Sequence, residues 1–174
     1  MGSNGQGRGW IGSAVLLVLA AALLLRPWEE LRAPGGDPPP AASALVTRVI
    51  DGDTIEVRLG GRREDVRLIG VDTPETVDPE APVQCFGRAA SRFTRRALDG
   101  RRVRLVFGAE RRDAYSRLLA YVHLGGRFVN AELVHRGLGR SLVIAPNDRH
   151  AGRLKRLEIA ASRAGRGLWG GCGT

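Results

Sequence analysis

Apolar and polar positions follow two distinct rhythms along the last three quarters of this chain. Ala44–Ile50, Thr54–Leu59 and Val66–Val71 are rich in β-branched residues recurring about every second position, which predicts three strands. Leu59-Gly60-Gly61-Arg62 joins the second and third as a hairpin turn. At Gly87–Leu98 the rhythm becomes helical, with Ala89, Ala90, Phe93, Ala97 and Leu98 on one face and Gly100 as the stop. Val103–Phe107 and Leu118–Leu124 return to strand patterning, and Phe128–Arg136 predicts a helix ended by Gly137. Ser141–Ile144 reads as a short strand or extended piece. Asp148–Ala164 predicts a final helix, with Asp148 as its candidate cap and Leu154, Leu157, Ile159 and Ala160 among its apolar residues. There is no internal repeat. Five short strands with interspersed helices predict a small barrel with helices packed outside, of which the OB type is the common nucleic-acid form.

The amino-terminal quarter follows neither rhythm. Trp10 to Leu25 is apolar apart from Gly12 and Ser13, with Arg8 before it and Arg26 after it. A charged start and an apolar stretch of this length read as a signal segment, slightly short of the roughly 20 residues of an ideal membrane span. Ala42-Ser43-Ala44, the best small-residue cleavage site, lies too far downstream. The expectation is therefore an uncleaved signal anchor at residues 10–25, amino terminus inside, rather than a cleaved peptide, with Trp10 and Trp28 at the two interfaces. Either reading exports the rest of the chain. Residues 26–43 carry Pro34, Gly35, Gly36, Pro38, Pro39 and Pro40, an extended semi-rigid linker. A folded domain is expected over residues 44–174.

Charge separates these regions further. Arg8, Arg26 and Arg32 offset Glu29, Glu30 and Asp37, so the whole net charge of +9 lies beyond Ala44. A domain this basic has the electrostatic footprint of a nucleic-acid binder. Lys155 is the only lysine, and arginine forks suit bidentate contacts to phosphate. Two cysteines, Cys85 and Cys172, can pair in an exported chain and would tie its last turn to an early loop. Their wide spacing and the lack of a third cysteine argue against metal binding. His123, His135 and His150 have no ligand spacing and read as surface or half-buried groups.

Against this basic background stand two acidic clusters, each closing a strand: Asp51-Gly52-Asp53-Thr54 and Asp72-Thr73-Pro74-Glu75. The first can be simply a turn, since Asp and Gly are ordinary turn residues. Together they suggest a cation held against a polyanion. A hard ion such as calcium takes six to eight oxygen ligands, and Asp53, Asp72 and a carbonyl near Thr73 can supply three. An EF-hand fails, because Ile55 and Glu56 stand where that loop needs an oxygen ligand and a glycine. An aspartyl phosphatase needs a lysine and a later acidic pair that this chain does not place. Arg67, on the strand leading to Asp72, and Arg117, before Leu118–Leu124, can stabilise the charge that grows on a phosphodiester under attack. Glu75 can orient or deprotonate the attacking water.

Four segments in order and spacing resemble the staphylococcal nuclease (thermonuclease) family. They are Val49–Thr54, Val66–Glu75, Asp113–Tyr121 and Val129–Val134, and the similarity runs from about Ala44 to Trp169. The resemblance implies an α+β, mainly β fold: a five-stranded OB-type Greek-key barrel with about three packed α-helices, here preceded by an N-terminal hydrophobic helix. It implies a calcium-dependent nuclease acting on DNA and RNA with little sequence preference and leaving 3′-phosphate ends. Carried onto matching positions, Asp53 and Asp72 are calcium ligands with the Thr73 carbonyl, Glu75 is the water-directing base, and Arg67 and Arg117 hold the phosphate. Tyr115 contacts a terminal phosphate, and Asp51 is an acid beside the metal. No protein partner is indicated and a monomer is expected. The chain departs from the family prototype at Ala114, where that has lysine, and at Ser141–Pro146, where nucleotide-contacting tyrosines are missing. Looser base binding follows. The rival reading is a non-catalytic OB-fold module that binds nucleic acid.

Overall fold

The computed structural model describes residues 40–76 and 83–172. The N-terminal hydrophobic segment and most of the Pro/Gly-rich linker lie outside these residues. Among the described residues no helix is long and apolar enough to cross a membrane.

Strand β1 (Ala41–Val49) pairs antiparallel with β2 (Thr54–Leu59), and β2 with β3 (Arg62–Leu68). On its other edge β1 pairs with β5 (Arg102–Arg112), which pairs with β6 (Leu118–Leu124). The parallel pairing of β6 with β3, Arg67 opposite Leu119, closes the barrel. The first strand begins at Ala41 rather than Ala44, because Ala41 to Ser43 find partners on β5. The register of β1 against β2 shifts between Val46 and Arg48. This bulge moves the buried phase of β1 from Ala44 and Val46 to Val49. The inner faces of the strands form one core, with Ile55, Val57, Val66, Leu68, Val103, Leu105 and Val122 almost fully buried.

Three helices cover the barrel, and a short turn of helix closes the chain. They are α1 (Gly87–Leu98), α2 (Val129–His135), α3 (Ala151–Arg163) and α4 (Leu168–Gly171). The closed five-strand barrel with three helices agrees with the expectation, as do the limits of β2, α1 and β6. The predicted strand Val66–Val71 is interrupted. β3 ends at Leu68, and Val71–Asp72 forms a separate strand β4 paired with the two-residue strand Arg140–Ser141. The break is Gly70, at φ 81°, where an added Cβ would lie 2.4 Å from Leu154 Cδ1 of α3. A side chain there would be strained and would collide with the helix. β5 runs on to Arg112, beyond Phe107, because its far end still pairs with Leu118.

Helix α3 starts at Ala151, preceded by His150, and no side chain caps it. Asp148 contributes only its carbonyl, accepting from Ala151 N. Of the apolar residues assigned to α3, Leu154 is buried and Ile159 and Ala160 are exposed; Glu158 and Ala161 complete the inward face. His123 stacks on Phe128, while His150 meets Tyr121 edge-on and Phe128 at a tilt, in one aromatic cluster. Asn130 of α2, fully buried, accepts from Val122 N at 2.9 Å and donates to Ile69 O at 2.8 Å. That one side chain bolts α2 to the ends of β3 and β6, beside the site.

Candidate active site

The Asp51–Thr54 segment is a turn that carries two of the candidate site residues. Ile50 N and Asp51 N donate to Thr54 O, and Asp51 Oδ1 accepts from Asp53 N at 2.9 Å. Gly52 is pinched between α1 and the second acidic cluster: a Cβ would come within 2.6 Å of Thr73 Oγ1 and 2.8 Å of Ala90 Cβ. Its carbonyl accepts from the buried Thr94 hydroxyl at 2.6 Å. The turn is thereby fixed against the helix, and Asp53 is driven inward.

Asp53 is 4% exposed. Its Oδ2 accepts from Thr73 N at 2.6 Å and from Thr73 Oγ1 at 2.9 Å. Its Oδ1 lies 2.7 Å from Arg67 Nη1. Burial pushes the Asp53 carboxyl up to about 6, and Asp51 adds to the rise, although Arg67 and the Thr73 hydrogen bonds oppose it. Arg67 reaches further: Nη1 donates to Val71 O at 2.9 Å and Nη2 to Asp72 Oδ1 at 3.0 Å. One guanidinium therefore clamps both carboxylates. The Asp72 side chain is otherwise open to solvent, 55% exposed. The clusters that lie about twenty residues apart in sequence form one contact network in space.

The second arginine is set up by a different turn. Asp113 Oδ1 accepts from Tyr115 N and Arg117 N, and Oδ2 accepts from Arg117 Nε at 2.7 Å. Burial pushes the Asp113 carboxyl up, but the side-chain and backbone hydrogen bonds of Arg117 and its charge together hold it below the ordinary value. Arg117 lies two residues before Leu119, the partner of Arg67, so the two arginines share a face of the β3–β6 pair. Both line one cavity of about 370 Å³. Tyr115, 81% exposed, stands at its rim against the Arg117 guanidinium, 5.2 Å from ring centroid to Cζ. Leu119, Leu142 and Ile144 form an apolar wall.

Glu75 does not line that cavity. Its Oε1 accepts from Thr76 N at 2.7 Å. Its backbone is gripped on both sides by Gln84, whose N donates to Glu75 O and whose Oε1 accepts from Glu75 N. Cys85, the next residue, is bonded to Cys172, so the expected disulfide is present. Sequence reasoning missed Gln84, Asp113 and the Thr73 hydroxyl. Asp113 was visible as the acid opening the Asp-Ala-Tyr-Ser-Arg turn, four residues before Arg117. Gln84 carried no signal, since its partner Glu75 lies nine residues away in sequence.

Known proteins can be set beside this geometry. The model of the family described as staphylococcal nuclease homologue matches residues 65–171. The thermonuclease of Staphylococcus intermedius is 41% identical over 162 residues, spanning 88% of this chain and 95% of that protein. The chain belongs to the staphylococcal nuclease family. The thermonuclease of Staphylococcus hyicus is 44% identical over 124 residues, 71% of this chain and 73% of that protein. Endonuclease YncB of Bacillus subtilis (strain 168) is 38% identical over 129 residues, 73% of this chain and 61% of that protein. This member of the staphylococcal nuclease family is an enzyme, a hydrolase of nucleic acid.

The staphylococcal nuclease family implies a bound calcium ion, and the donor set fits one. Asp53, Asp72 and the Thr73 carbonyl are hard oxygen donors, the type calcium prefers. Asp53 stays raised to about 6 even with a guanidinium at 2.7 Å. Its negative charge is still under-compensated, and a nearby cation relieves that condition. Among the described residues no group of three or more His, Cys, Asp or Glu side chains is placed to hold an ion. Carbonyl oxygens and water would have to complete the shell.

Proposed function

We propose that this nuclease is calcium-dependent, cleaves DNA or RNA with little sequence preference, and breaks the bond from phosphorus to the 5′ oxygen, leaving 3′-phosphate ends. The observation that carries the reading is Arg67. It bridges Asp53 and Asp72 and lines the same cavity as Arg117. A phosphodiester in that cavity meets two guanidiniums already oriented by carboxylates. Charge accumulating on its equatorial oxygens during attack falls on donors that need little reorganisation. Asp53, Asp72 and the Thr73 carbonyl would hold calcium, which when bound supplies further charge neutralisation at the phosphate. Water attacks phosphorus as the phosphorus–5′-oxygen bond breaks. Glu75 lies outside the cavity wall but two residues beyond Thr73, with its backbone held by Gln84; in this reading its carboxylate takes the proton of the water, and the leaving oxygen takes one from solvent. Asp51 keeps Asp53 in place through the turn. Tyr115 sits where it can contact a terminal phosphate.

We place the enzyme outside the cytoplasm, held at the membrane by residues 10–25 or secreted if that segment is removed. The disulfide supports an oxidising compartment. The test is a digest of DNA and of RNA by the full chain with calcium and then with chelator, followed by end-group analysis. Cleavage that appears with calcium, stops with chelator and leaves 3′-phosphates is the expected result. Cleavage indifferent to chelator, or 5′-phosphate products, sinks the mechanism.

A further inference from the structure

Helix α1 presents arginine on its outer side, and no acid among the described residues neutralises it. It buries Gly87, Ala90, Ser91, Thr94 and Leu98 and exposes Arg88, Arg92, Arg95 and Arg96. Arg88, Arg92 and Arg95 stand at i, i+4 and i+7, one above another on a single face. Like charges at that spacing destabilise a helix, so the stripe works against folding unless something anionic meets it. Five arginines elsewhere, Arg48, Arg67, Arg112, Arg117 and Arg127, each face a carboxylate. Among the described residues no carboxylate pairs with Arg88, Arg92 or Arg95.

These three arginines surround a surface depression of about 320 Å³ whose other walls are Ile50, Thr76 and Ser91. Thr76 Oγ1 and Ser91 Oγ lie 3.3 Å apart. Among the described residues the lining thus combines three guanidiniums and two hydroxyls with no acid, a donor set suited to a phosphate group. It adjoins the hydrolytic machinery through the chain: Thr76 follows Glu75, and Ile50 leads into Asp51 and Asp53. Each four-residue step along the helix advances about 6 Å, so the stripe can follow an extended backbone.

We propose that this face of α1 is a second phosphodiester-binding site, which holds the polynucleotide strand flanking the bond being cut. The proposal rests on the nuclease reading and deepens it: the enzyme prefers polymers to short esters because polymers alone reach both sites. An anionic membrane surface would also be attracted to arginines. The enclosing hydroxyls and the continuity with Glu75 favour nucleic acid.

The test compares the full chain with a triple variant, Arg88→Gln, Arg92→Gln and Arg95→Gln, on long DNA and on a mononucleotide aryl phosphodiester too short to span both sites. Glutamine keeps helix propensity close to that of arginine. For the variant, KM on DNA should rise tenfold or more, while kcat/KM on the aryl ester stays within twofold. The slope of log affinity against log salt should flatten by about two to three. Arg→Lys at the same three positions should recover most of the loss. Unchanged KM and salt slope on DNA, or equal losses on both substrates, overturn the proposal. So does a defect confined to binding of phosphatidylglycerol vesicles, which would assign the face to membrane. If the parent cleaves neither substrate, DNA affinity in chelator still decides: a tenfold loss in the variant keeps the second site and sinks only the nuclease reading.

Discussion

Opening the Cys85–Cys172 bridge should cost this enzyme stability and turnover together. The bridge joins residues 87 positions apart, linking the entrance of α1 to the residue after α4. Cross-linking a loop of that length removes about 4.6 kcal/mol of unfolded-chain entropy at 25 °C in the loop-closure model. Set against a typical domain stability of about 5–15 kcal/mol, that is a large share. The native side of the bridge is closely packed, since a Cβ on Gly171 would lie 2.5 Å from Phe86 Cε2. The functional consequence runs through Gln84, bonded covalently to Cys85, which holds the Glu75 backbone at 3.0 and 3.1 Å. Urea titration of the oxidised chain, the reduced chain and a Cys85→Ser/Cys172→Ser variant measures the first effect. With a slope of about 2 kcal/mol per molar, the midpoint should fall by roughly 2 M. Turnover under native conditions measures the second, and it should drop about tenfold with KM little changed. A midpoint that moves by less than about 0.3 M refutes the stabilising argument. A large shift in midpoint with full turnover refutes the link through Gln84 to Glu75.

Other outcomes follow from the same geometry. Arg117→Ala and Arg67→Ala should each lower turnover by orders of magnitude, but only Arg67→Ala should also destabilise the fold, by about 3–5 kcal/mol, because it strips a buried carboxylate of its counter-charge; kinetics and denaturation on both variants check this. Asp113→Asn should leave stability nearly unchanged and lower kcat, since it loosens the Arg117 fork; rates equal to the parent enzyme would remove Asp113 from the site. Glu158 accepts from Ser141 N, Ser141 Oγ and Lys155 Nζ. Burial pushes its carboxyl up, but those hydrogen bonds together hold it below the ordinary value. Its contribution should therefore be complete above the unfolded carboxylate pKa of about 4.3 and fade as pH falls through the lower folded value. Glu158→Ala should cost about 1–3 kcal/mol at neutral pH, and the deficit should shrink in acid melts. Ile144→Tyr should restore an aromatic wall to the cavity and tighten mononucleotide binding by about 1–3 kcal/mol; calorimetry that finds no change would mean the base lies elsewhere.

Much of this molecule was legible in its sequence because the signals are local. The pair Gly60-Gly61, both at positive φ, marks the hairpin within two residues. Alternation marks β2 and β6, and helical spacing marks α1, because each element's inward face is written in its own residues. The acidic clusters and arginines were legible as chemistry because carboxylates in a basic chain need a reason. Tertiary structure decided the remainder. The apolar run Val66–Val71 is broken at Gly70, whose positive φ and close approach to Leu154, 84 residues later, exist only in the folded chain. Asn130 is buried because Ile69 O and Val122 N, brought together by barrel closure, both need a partner. Arg67 becomes a clamp, rather than one surface arginine among many, when the turn leading into β2 and the end of β4 arrive on either side of it. Backbone preference and hydrophobic period act over a few residues and survive in the sequence alone. Buried polar groups must be satisfied wherever the chain's closure leaves them, and which residues answer that demand is settled only in three dimensions.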